Sequence, residues 1–99
     1  MRIQVTLERE INWRDKQKKI PGYQPDELFL LLKDILTSNG LRIAHIDKRY
    51  RILDTRIINR SKINIKVTDD CVVKVNILNA YSVSPYDRFW EVVNGYLQG

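Results

Sequence analysis

A chain of 99 residues, 43% apolar and 29% charged, is long enough for one domain with one core and needs no covalent staples. Its single cysteine, Cys71, excludes an internal disulfide, and its longest apolar run, Leu28 to Leu32, falls far short of a membrane span. The net charge of +5 favours an anionic partner. The opening residues hold no apolar signal-peptide core, so a cytoplasmic protein is expected.

Residues 2–12 place Ile3, Val5, Leu7 and Ile11 against Arg2, Gln4 and Thr6, the period of a half-buried strand. Residues 14–25 are polar, basic and broken by Pro21-Gly22 and Pro25. They read as a mobile loop carrying Lys16, Lys18 and Lys19. A helix follows. Pro25 fits its first position, and Asp26 and Glu27 oppose its dipole. Leu28, Leu31, Leu32, Ile35 and Leu36 form its apolar stripe, widened by Phe29 and Leu30. Asn39-Gly40 supplies a left-handed stop.

Strands are expected over Leu41–Asp47 and Tyr50–Ile58. The adjacent apolar pairs Ile52-Leu53 and Ile57-Ile58 break the alternation and predict a bulge or register change. Lys62–Thr68 alternates cleanly, with Ile63, Ile65 and Val67 inward and Lys62, Asn64 and Lys66 outward. Asp69-Asp70 turns the chain into Cys71–Asn79, where Cys71, Val73, Val75 and Ile77 oppose Lys74 and Asn76. In the last element Ser84 is the expected N-cap, Pro85 the first helical residue and Asp87 the capping-box partner. Tyr86, Phe89, Trp90, Val93 and Leu97 form its apolar stripe.

The expected fold is α+β over one domain, 1–99, in the order β-α-β-β-β-β-α. One antiparallel sheet would carry two helices on one face and leave the other face open. In element order the chain is similar to one half of the TATA-box-binding protein fold and to shortened helix-grip folds. The first resemblance implies phenylalanines inserted into DNA from the sheet. Here Phe29 and Phe89, the only two, fall in predicted helices, so that mechanism is not expected.

Charge is distributed unevenly. Residues 41–66 hold eight basic side chains against Asp47 and Asp54, a net of +6 against +5 for the whole chain. Outward cations on consecutive strands form rows that can follow a phosphate backbone. The expected contacts are Arg42, Arg49, Arg51, Arg56, Lys62 and Lys66, with Lys16, Lys18 and Lys19 as a second patch. Tyr50, Tyr81 or Trp13 would stack on bases where exposed. The competing reading is a solvated face that prevents edge-to-edge aggregation.

No catalytic constellation stands out. His45 is the only histidine and has no neighbouring cysteine, so it reads as an ordinary strand residue. Cys71 sits beside two aspartates, which argues against a reactive thiolate and for a core position. Asp69-Asp70 is accounted for by the turn. The aromatic group Tyr81, Tyr86, Phe89, Trp90 and Tyr96 reads as core. The expected function is a non-enzymatic binding module without metal or cofactor, whose basic face meets nucleic acid or another acidic surface. The alternatives are a protein-interaction module, homodimeric through an edge strand or the open face, and a binder of a small apolar ligand between sheet and first helix.

Overall fold

The computed structural model describes residues 11–56, 62–78, 80 and 82–98. Its elements are β1 (Gln17–Lys19), α1 (Pro25–Ser38), β2 (Ile43–Asp47), β3 (Ile52–Thr55), β4 (Ile63–Val67), β5 (Val72–Ile77) and α2 (Ser84–Gln98). The five strands form one antiparallel sheet in the order β1-β5-β4-β3-β2, an α+β fold. Helix α1 thus connects two strands that lie at opposite edges of the sheet.

Strand alternation sorts the two faces. Leu53, Thr55, Ile63, Ile65, Val67, Val73 and Val75 are all buried, and their registers place them side by side under the helices. Leu28, Phe29, Leu32, Ile35 and Leu36 of α1 and Tyr86, Phe89, Trp90 and Val93 of α2 close the core from above. The buried Tyr86 hydroxyl accepts the Ile77 amide at 2.9 Å, so its polar end is satisfied where β5 stops pairing. Phe29 and Phe89 are both buried on helices, and neither is available to the open sheet face.

Helix α1 ends as its sequence requires. Gly40 takes φ 84°, its amide donates to the Thr37 carbonyl, and the Leu41 amide donates to the Leu36 carbonyl, both at 3.1 Å. At its start, the Glu27 side chain accepts the Gln24 amide at 3.4 Å.

Four expectations need correction. The segment 14–25 is not all loop: Gln17–Lys19 pairs with β5, flanked by Val75 N–H to the Lys16 carbonyl at 2.7 Å and Ile20 N–H to the Cys71 carbonyl at 2.9 Å. Backbone pairing at a sheet edge needs no apolar alternation, and lysines are natural edge residues. The strand expected at 2–12 lies outside the described residues except for Ile11 and Asn12, and Asn12 is in a turn. Second, the expected bulge or register change in these two strands is present, but it falls in β2, between Ile43 and His45, while β3 is regular over the pairs it makes. Ile57-Ile58 lies outside the described residues.

Third, the β4–β5 turn runs from Thr68 to Cys71, with Cys71 N–H donating to the Thr68 carbonyl at 3.0 Å. Cys71 takes φ 61°, so it closes the turn and does not open the strand, although it is buried as expected. Fourth, α2 begins at Ser84, and the Val83 carbonyl accepts the Asp87 amide at 2.9 Å. Val83 therefore holds the position before the helix that Ser84 was expected to take.

Candidate nucleic-acid interface

The helix-free face of the sheet is a short grid of polar side chains. Across β5, β4 and β3, one row is Asn76, Asn64 and Asp54, and His45 of β2 stands opposite Asp54. The next row is Gln17, Lys74, Lys66 and Ile52, ending at Asp47 of β2. Two exposed lysines therefore stand directly opposite each other at the centre of the face. Lys19 lies two positions beyond Gln17 on the same side. At the other end of the sheet the Arg56 amide donates to the Arg42 carbonyl at 2.8 Å, and both side chains are exposed.

The negative groups are also placed. Asp54 accepts a hydrogen bond from the Asn64 amide, and Asp47 accepts the backbone amides of Arg49 and Tyr50 at 3.0 and 3.1 Å. Each carboxylate is thus tied to a structural donor on the β2–β3 side. The cationic centre of the face is the β4–β5 hairpin together with β1, displaced from the 41–66 stretch where sequence charge counting put it.

Two exposed aromatics border this centre. Trp13 is 62% exposed and lines a hollow with Gln17, Asn64, Lys66, Lys74 and Asn76. Tyr50 is 56% exposed and lines a second hollow with Arg49, Lys66, Thr68 and Asp69. Lys66 is shared by both. Each aromatic carries an arginine beside its ring: Arg14 lies 5.1 Å from the Trp13 centroid and Arg49 5.4 Å from that of Tyr50.

The turn that displays Trp13 is fixed in place. The Asn12 side chain accepts the Arg14 amide at 2.8 Å, and the Asp15 carbonyl accepts the indole N–H of buried Trp90 at 2.8 Å. Helix α2, on the far side of the sheet, thereby anchors the loop that carries the open face's largest aromatic.

The nine expected contacts divide. Arg42, Arg49, Arg56, Lys19 and Lys66 are exposed on the open face or its β2–β3 rim, and Lys62 is half-buried just before β4. Lys62 and Lys66 stand four residues apart, about 13 Å along a strand. The tighter basic pair is therefore Lys66 with Lys74. Lys16 borders the Trp13 hollow. Lys18 is opposite Val73, so it faces the helix side of the edge and does not join the row.

Arg51 is the clear correction. Only 15% of its side chain is exposed, and its guanidinium bonds Asp26 at 3.1 Å, Asp69, and the Val67 carbonyl at 3.1 Å. The Asp26 hydrogen bond chiefly, aided by Asp69 and opposed by burial, raises its pKa above the ordinary value. With three of its five N–H donors engaged and its charge paired with Asp26 and Asp69, Arg51 joins α1, β4 and the β4–β5 turn and serves the fold first. Lys74 was missing from the expected contacts. Its outward position in β5 was the available signal, but only the hairpin register reveals that it faces Lys66.

Among the described residues no group of three His, Cys, Asp or Glu side chains is placed to hold a metal, and no helix is long and apolar enough to cross a membrane. Arg60 and Tyr81 lie outside the described residues. No protein-family model matches the chain, and no curated protein matches it. Fold and site together define an α+β domain with one helix-covered and one cationic sheet face.

Proposed function

We propose that the protein is a non-enzymatic binding module for single-stranded nucleic acid and that the open sheet face is its contact surface. The observation that supports this most is the shared position of Lys66, which faces Lys74 and borders both the Trp13 and the Tyr50 hollows. Such a site joins a cationic centre, which attracts backbone phosphates, to two flat π-faces on which unpaired bases stack. Neither element reads a base edge, so affinity is largely independent of sequence. Asp47 and Asp54 repel phosphate from β2 and β3, so the backbone follows the hairpin and β1 while a base reaches the Tyr50 ring at the β2–β3 turn.

The test is fluorescence anisotropy with a labelled mixed-sequence single strand and a duplex of the same sequence, titrated at about 50 and 200 mM salt. Tighter binding to the single strand, with steep loss on adding salt, is expected. Lack of binding to either at the lower salt would remove the reading.

A further inference from the structure

A second concave site lies on the other side of the molecule. It is an apolar groove of about 220 Å³ between the end of α1, the ends of β4 and β5, and the first turns of α2. Leu36 and Leu41 meet there through the helix stop at Gly40. Ile63 and Ile77, opposite each other in the β4–β5 ladder, form the sheet wall, and Phe89 and Val92 form the α2 wall. Leu28 and Leu32, nearer the start of α1, are fully buried and take no part in the groove.

We infer that this groove binds a small monocarboxylate with an apolar body. Size limits the ligand first. A 150 Å³ apolar cavity accommodates benzene, so 220 Å³ accommodates about nine non-hydrogen atoms. Charge then selects its class. Among the described residues Arg88 is the only charged one lining the groove, and its guanidinium makes no ion pair with any of them. It shares a helix face with Pro85 and Val92, three and four residues from it, so it stands at the edge of the apolar lining. A guanidinium presents a planar fork of donors that matches a carboxylate. The other polar residue lining the groove, Asn39, donates its side-chain amide to the Ile35 carbonyl at 2.7 Å and does not compete for the acid. Glu91, three residues on from Arg88, lines the adjoining hollow and not the groove, and makes no ion pair with Arg88.

Amide chemical-shift titration of the whole chain with hexanoate, hexan-1-ol and hexylamine tests the assignment. Hexanoate is expected to shift Leu36, Leu41, Phe89 and Val92 and to bind about fivefold tighter than the alcohol, the range of an exposed ion pair. Arg88→Gln should erase that preference and leave hexan-1-ol binding unchanged. Val92→Phe should fill the groove and abolish binding of both while the remaining spectrum stays native. Equal affinity for acid and alcohol, tighter binding of the amine, shifts elsewhere on the molecule, or undiminished binding to Val92→Phe would each overturn it.

Discussion

Lys66 and Lys74 occupy directly opposed positions of the β4–β5 ladder, with both side chains exposed on the face that neither α1 nor α2 covers. Like charges at opposed sheet positions are destabilising, whereas opposite charges there contribute roughly 0.2–1 kcal/mol. The pair is therefore poor for stability and well placed for an anion. Lys74→Glu is expected to raise stability in urea denaturation at low salt by up to about 1 kcal/mol and to weaken nucleic-acid binding. A variant that loses stability would show that the two side chains do not interact across the ladder.

Reversing both residues tests the interface itself. Lys66→Glu combined with Lys74→Glu restores like-charge repulsion, so stability should stay within about 0.5 kcal/mol of the original. Binding to any mixed-sequence single strand should be abolished at moderate salt. In the single variant Lys66→Gln, the slope of log affinity against log salt should fall by about 0.7, the value for one single-strand phosphate contact. An unchanged slope would remove Lys66 from the contact set.

Trp13 contributes differently. Its exposed indole carries no charge, so Trp13→Ala should lower single-strand affinity by about 1–3 kcal/mol and leave the salt slope unchanged. Duplex binding should barely respond, because paired bases do not offer their faces. Comparing salt slopes for the two substrates separates stacking from charge.

The parts legible in the sequence are those where one side-chain pattern dictates one outcome. The α1 stripe from Leu28 to Leu36, its Gly40 stop and the strict alternation of Ile63–Val67 all formed as read. Strand β1 was not legible because Gln17, Lys18 and Lys19 carry no burial pattern, and what orders them is β5 offering free backbone groups. The site was legible by charge but not by position. Lys66 was found from alternation alone, but its partner Lys74 depends on hairpin register, and Trp13 on a hydrogen bond from Trp90, 75 residues away from Asp15. Arg51 was misread because composition cannot distinguish a solvated arginine from one whose donors are engaged.

Leu32 is completely buried between α1 and the sheet. Leu32→Ala should destabilise the domain by roughly 2–5 kcal/mol, through lost burial and the cavity left behind. Chemical denaturation gives the value directly. A loss below about 1 kcal/mol would mean that the surrounding leucines collapse into the space.

Arg51 makes the most discriminating stability test because two effects act there with opposite sign. Its guanidinium holds Asp26, Asp69 and the Val67 carbonyl, and its backbone lies at φ 55°, which disfavours any side chain. Both aspartates are largely exposed, so the ion pairs are screened and contribute about 1 kcal/mol or less each. The hydrogen bond to the Val67 carbonyl contributes about 0.5–1.5 kcal/mol. Arg51→Ala loses all three contacts and keeps the unfavourable φ, so a loss of about 1–3 kcal/mol is expected. Arg51→Gly loses the same contacts but relieves the backbone, a gain that outweighs glycine's greater freedom in the unfolded chain. It should therefore be more stable than Arg51→Ala by roughly 1 kcal/mol in urea denaturation. Neither variant should change the salt slope of nucleic-acid binding, since the Arg51 charge is already paired with Asp26 and Asp69. Equal stabilities would place the backbone outside the left-handed region, and a reduced slope would return Arg51 to the binding face.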